Sequence, residues 1–197
     1  MDWDSYEPYQ PSTYGPLHEQ TRAAATTEYK RLMSYKEARK AALVKLLHTN
    51  GIELDKSDEA IQRLDDWFKT SVEGELYETD PVTVRGVELD IGPQPKLKPI
   101  WYSVVNDIGL FLGDVILERA PNLRWEFFTY GRRNLAYQRH VIMGFPTPNP
   151  KYNVDVDRYV ATYGHRVVAG ESNRDDLFLY LIENAVALAL GVESART

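Results

Sequence analysis

The sequence predicts an α+β fold, in which helices pack around a small antiparallel sheet, and three patterns predict it. Apolar residues recur at helical spacing in several long stretches. Leu123-Arg124-Trp125-Glu126-Phe127 instead alternates with period two, as a half-buried strand does. The strand-like runs follow no regular alternation with crossover helices and no internal repeat, which argues against a doubly wound parallel sheet.

Taken in order, residues 1–16 hold Trp3, Tyr6, Tyr9 and Tyr14 among Pro8, Pro11 and Pro16. Repeated proline blocks both helix and sheet pairing, so this segment reads as an extended N-terminal arm. Residues 17–49 are rich in strong helix formers. Ser34 followed by Glu37 fits a capping box, which places a new helix start there, and Asn50-Gly51 supplies the stop. Ser57 is the N-cap of the next helix, with Asp58 and Glu59 in its first turn. Ile61, Leu64, Trp67, Phe68 and Val72 line its apolar face, and these two helices are expected to form an antiparallel N-terminal pair.

Val82, Val84, Val87, Leu89 and Ile91 flank Arg85-Gly86 and read as a short hairpin. Gly92 to Pro99 reads as an extended connector, and residues 92–99 are the one candidate sub-boundary in a domain covering 17–197. The strongest helix follows, marked by Trp101, Val104, Val105, Ile108, Leu112, Val115 and Ile116. Gly109 and Gly113 fall on one side of it, which implies a close-packed neighbour, the following sheet. After the Trp125 strand, Leu135–Gln138 and His140–Phe145 read as returning strands. A short helix over 154–163, ended by Gly164, and a last helix from about Asp175 to Leu190 complete the chain.

Composition bounds the function. With 197 residues, 43% of them apolar and 26% charged, the chain can bury a core without a staple. It has no cysteine, which removes disulfides, thiolate catalysis and Cys-based metal sites. The net charge of −6 argues against a nucleic-acid partner. The acidic excess is concentrated in residues 51–100, with 6 Lys or Arg against 12 Asp or Glu. Met1-Asp2-Trp3-Asp4 lacks the basic start and apolar run of a secretory signal. The apolar stretches at 100–117 and 177–192 are interrupted by Asn106, Asp107, Asp114, Glu183 and Asn184, so they read as too short and polar to span a bilayer. A cytoplasmic protein without a membrane partner is the expectation.

The chemistry-bearing candidates are few. Neither nucleotide-loop nor serine-nucleophile motifs occur, and no cofactor is implied. Asp155 and Asp157 have a spacing that suits a hard cation on an extended backbone, but two acids also open a helix well. His165, beside Gly164 and Arg166, reads as a loop residue and is the better acid–base candidate. His140, in an apolar strand, reads as a packed residue. Arg119, Arg124, Arg132, Arg133 and Arg139 fall within 21 residues that hold one acid, Glu126, and are interleaved with Trp125, Phe127, Phe128, Tyr130 and Tyr137. Strand alternation puts Phe128 on the outer face with Arg124. Arg124, Phe128, Arg132, Arg133 and Arg139 are therefore the candidate binding surface.

The run Asn106-Asp107-Ile108-Gly109-Leu110-Phe111-Leu112-Gly113-Asp114, followed by Leu123-Arg124-Trp125-Glu126, resembles a helix-then-Trp-strand pattern of small bacterial proteins of unknown function. Some of these are similar to immunity-type proteins encoded beside toxins. The resemblance covers residues 100–170 at most, transfers no catalytic residue, and implies a compact α+β module that works by binding. The sequence thus points to a non-enzymatic binding protein with a protein partner, met by the arginine and aromatic surface or by the acidic 53–90 region. A metal-assisted hydrolase or transferase with a cleft at Asp155, Asp157 and His165 is the alternative. Anion or single-stranded nucleic-acid binding by the arginine cluster is the minor one.

Overall fold

The structure, a computed structural model, describes residues 1–13, 15, 17–77, 82–84, 87–89, 94–171 and 173–192. These form an α+β fold of five α-helices and three two-stranded antiparallel sheets.

Helix α1 (Arg22–Thr49) opens at Thr21, whose side chain accepts the Ala24 N–H. It passes Ser34 without a break, because Ser34 Oγ donates to the Arg31 carbonyl instead of capping a new start. Helix formers on both sides make one long helix the cheaper solution. Helix α2 (Asp58–Ser71) does begin at Ser57, which accepts from Ala60 N–H as the acidic first turn predicts.

Strand β1 (Gly74–Tyr77) is followed by the hairpin strands β2 (Val82–Val84) and β3 (Val87–Leu89) and then by β4 (Gln94–Leu97). The hairpin matches the expectation, though its Arg85-Gly86 turn and Ile91 lie outside the described residues, as do Gly92 and Pro93 of the connector. The rest of the connector is not merely extended: Gln94–Leu97 pairs with β1, with Pro95 opposite Leu76. A two-stranded sheet consists of edges, where a proline costs no ladder bond.

Helix α3 (Pro99–Arg119) carries Pro99 at its first turn, where the missing N–H is no loss. It is long and apolar enough to cross a bilayer by length and composition, which corrects the reading of this stretch as too short and polar. In the fold it is the central helix, packed against α1 and against the two C-terminal helices, α4 (Val156–Val168) and α5 (Leu177–Leu190). Helix α2 takes α5 as its main neighbour, so the two N-terminal helices lean on different parts of the body. One apolar cluster runs through all of these elements, from Leu43, Leu46 and Leu47 through Ile61 and Phe68 to Trp101, Tyr163 and Phe178.

Strands β5 (Arg124–Phe127) and β6 (His140–Met143) pair with Trp125 opposite Ile142 and Phe127 opposite His140. Leu135–Gln138 forms turns rather than a strand, because Gln138 takes a left-handed φ of 64° that ends any extended run. Helix α4 continues past Gly164 to Val168, since the absent side chain at 164 makes room for Phe68 and Leu97.

The glycine face of α3 has two neighbours. A Cβ at Gly113 would lie 2.1 Å from the Trp125 ring, so the expected contact with the sheet is present. A Cβ at Gly109 would lie 2.1 Å from Asp157 Oδ1, so the second glycine admits the first turn of α4 instead. The Gly-faced helix therefore locks strand β5 and helix α4 to one side of the core.

Candidate functional site

The N-terminal arm folds back over α1 and α3, and its aromatic residues explain why. Trp3 packs edge-on against Trp101, with ring centres 5.3 Å apart. Tyr6 is buried, and its hydroxyl donates to Asp107 Oδ2 at 2.6 Å and lies 2.9 Å from Ser103 Oγ. Asp107 is fully enclosed, so a bare carboxylate there would be costly. Arg39 answers it with a two-pronged contact, Nε to Oδ1 at 2.9 Å and Nη2 to Oδ2 at 2.5 Å. Burial raises the Asp107 carboxyl above its ordinary value, against the opposing pull of the bonds from Arg39 and Tyr6. Burial and the neighbouring Asp107 push the Tyr6 phenol up, which keeps it a donor. The remaining Arg39 nitrogen donates to the Glu7 carbonyl at 2.7 Å, and Arg31 donates to the Gln10 carbonyl at 2.6 Å. Glu28 completes the attachment by accepting from Tyr9 Oη at 2.5 Å and from the Ser12 N–H at 2.8 Å. Against its burial, these bonds hold the Glu28 carboxyl below its ordinary range.

Fastened this way, the arm becomes one wall of a cleft of about 830 Å³. Pro8, Tyr9 and Pro11 face Tyr29 and Leu32 of α1 across it, and Ile100, Tyr102 and Val105 of α3 form a further side. The floor is polar: Gln138 and Arg139 just before β6, His140 at its start and Asp157 from the first turn of α4, with exposed Arg158 at the rim. Each floor residue is positioned by identifiable contacts. Gln138 is 2% exposed and donates through Nε2 to the carbonyls of Leu17 and Gln20, at 2.5 and 3.1 Å. Two carbonyl acceptors fix which end of the amide is nitrogen, and Gln138 Oε1 is then buried with no hydrogen-bond donor among the described residues. Arg139 makes a two-pronged contact with Asp155, Nε to Oδ2 at 2.5 Å and Nη2 to Oδ1 at 3.2 Å. His140 Nε2 lies 2.6 Å from Asp157 Oδ2, but the two meet at an angle that makes no hydrogen bond. Asp157 Oδ1, buried and without a hydrogen bond, lies over Gly109.

The candidate residues from the sequence are dispersed by this arrangement. Phe128 is not on an outer face but 0% exposed, in a small cluster with Ala136, Val141 and Met143. Strand β5 ends at Phe127, and the backbone at 128 turns inward to exchange bonds with Arg139 and Gln138, so alternation no longer applies there. Arg139 belongs to the cleft floor, and its pairing with Asp155 outweighs the burial that opposes its charge. Arg124 pairs with Glu126 at 2.6 Å, and Arg119 pairs with Asp58 at 2.8 Å. Of the five arginines, Arg132 and Arg133 stay exposed with no ion pair among the described residues, beside exposed Tyr130 and Leu135.

The proposed acid–base cleft is also taken apart. Asp155 caps α4, accepting from Arg158 N–H at 3.1 Å, and its carboxylate is occupied by Arg139. Asp157 faces His140, not His165. His165 lies in α4 rather than in a loop, eight residues beyond Asp157, which is about 12 Å along a helix. It sits near Tyr102, and burial with the neighbouring Lys96 lowers its pKa. Among the described residues, no group of three His, Asp or Glu side chains is placed to hold a metal ion.

What sequence reading passed over is the long-range polar attachment. Asp107 in the middle of an apolar helix was the one available signal, since a lone carboxylate there needs a cation. Nothing local pointed to Arg39, 68 positions earlier. No known protein family, curated protein or solved structure matches the chain.

Proposed function

We propose that the protein is a binding module whose ligand is a small organic molecule held in the cleft beneath the N-terminal arm. The observation that carries this reading is a cleft of about 830 Å³ with mainly apolar walls over a polar floor of Gln138, Arg139, His140 and Asp157. That volume falls within the range of ligand pockets. The strain at Gln138 supports the same reading. A non-glycine residue held at positive φ costs on the order of 1 kcal/mol, and such positions gather at ligand sites.

Thermal-shift screening of the whole chain against organic acids, amines and nucleosides tests this. A ligand that fits raises the melting temperature of the native protein by mass action. Ala161→Trp, which fills the cleft from the α4 side, removes that shift. Shifts that persist in Ala161→Trp, or a screen without any, would overturn the reading.

A second reading, contact with a protein partner as the resemblance to immunity-type proteins implies, is favoured by the loop 129–135. It exposes Tyr130 and Leu135 beside Arg132 and Arg133, a combination suited to an interface. Its test is capture of a partner by Arg132→Glu/Arg133→Glu compared with the parent chain.

A further inference from the structure

Charge at the cleft narrows the chemistry of its ligand, and the argument rests on the cleft being the binding site. Glu28 is met by Arg31 and by Tyr9 and Ser12, and Arg139 is met by Asp155. Asp157 has His140 at 2.6 Å. Arg158 differs from all of these. It lies in the first turn of α4, lines the cleft, is exposed, and pairs with no carboxylate among the described residues. Its neighbour Arg166, by contrast, reaches Glu171 at 3.0 Å. An unpaired guanidinium at the edge of an apolar cavity is suited to a carboxylate, sulfonate or phosphate oxygen pair, because its fork matches two acceptors at once.

We infer that the cleft takes an amphipathic organic anion: an apolar, ring-bearing or acyl body lies between Tyr9, Tyr29 and Ile100, and the anionic group is held by Arg158. The walls supply the area and the arginine supplies the orientation, which is the usual division of labour in a small-molecule site. The overall charge of the protein opposes anions in general, so selectivity has to come from Arg158 itself.

The test uses two fluorescent probes with a similar aromatic body: anilinonaphthalene sulfonate, which is anionic, and phenylnaphthylamine, which is neutral. Each is titrated into the full chain, into Arg158→Gln, and into the cleft-filling variants Ala161→Trp and Ile100→Trp, with circular dichroism confirming that each variant is folded. The parent chain is expected to bind the anionic probe more tightly than the neutral one. Arg158→Gln is expected to weaken the anionic probe roughly tenfold, the loss of one charge-assisted contact, while leaving the neutral probe unchanged. If Arg158→Gln leaves the ratio of the two affinities as it was, while a cleft-filling variant blocks both probes, the anion assignment is wrong and the cleft remains the site. If neither probe binds, or a folded cleft-filling variant blocks neither, the cleft itself is not the site.

Discussion

The N-terminal arm and the loop 129–135 look alike as sequence, and the fold treats them in opposite ways. Both are short and carry aromatic and charged residues, and among the described residues neither holds a helix or strand. The arm is stitched to the body by Tyr6, Tyr9 and Ser12, each meeting a buried or half-buried polar group on α1 or α3. The loop keeps Arg132 and Arg133 in solvent and buries only Phe128 and Ala136, at its two ends. The difference lies in the partners. A tyrosine hydroxyl facing Asp107 or Glu28 gains a directional bond inside the protein, whereas an arginine that faces only water gains nothing by ordering. Aromatic content alone does not separate a docked segment from a projecting one.

The largest break in this comparison is Asp107→Ala. It leaves the Arg39 guanidinium buried without its carboxylate and the Tyr6 hydroxyl without its acceptor. A loss of about 3–5 kcal/mol in urea unfolding is expected, as for other broken buried pairs. A loss below 1 kcal/mol would mean that the arm is fastened by its aromatic packing alone.

Gly113→Ala tests the other side of α3. The new methyl meets the Trp125 ring at 2.1 Å, so the strand must shift, and Trp125 Nε1 risks its 2.9 Å bond to Asp114. Overpacking of this kind costs about 1–3 kcal/mol, despite the higher helix propensity of alanine. Stability equal to or above that of the parent would show that the glycine is not needed for close approach.

The pH dependence has its own site, away from the cleft. Asp65 is buried and accepts from Tyr163 Oη and Phe178 N–H, both at 2.7 Å, and burial raises its pKa to about 6. Because the folded value lies above the ordinary 3.8, the folded state favours the protonated acid. The stability this contributes is complete below about pH 4 and is lost as pH rises through about 6. Relative to Asp65→Asn, the parent chain should lose on the order of 2 kcal/mol between those limits in urea titrations. Parallel profiles for the two chains would contradict the assignment.

The smallest effect belongs to the loop. Arg132→Glu/Arg133→Glu should change stability by less than about 0.5 kcal/mol, since both arginines are exposed and neither pairs with an acid among the described residues. A larger loss would mean that the loop is anchored to the body after all.

Much of the fold was legible because it follows local rules. The Ser57 cap, the hairpin around Val82–Leu89, the contact of Gly113 with the Trp125 strand and the final helix all rest on spacing within a few residues. The site was hardly legible, because it is built from distant pairs. Arg39 with Asp107, Glu28 with Tyr9 and Gln138 with Leu17 each join residues from different elements. Phe128 was misplaced for a related reason: alternation holds only while a strand lasts, and the left-handed turn at Gln138 that folds the loop inward leaves no local signature. His165 and Asp157 were grouped by type, though the helix that carries both holds them apart.

Entry of ligand beneath the arm is read out by amide hydrogen exchange on the whole chain with and without anilinonaphthalene sulfonate. The cleft account predicts slower exchange in residues 8–13, 138–140 and 157–161, the walls and floor of one cavity. Slowing confined to residues 129–135 or to strands β1 and β4, with those three segments unchanged, would contradict it.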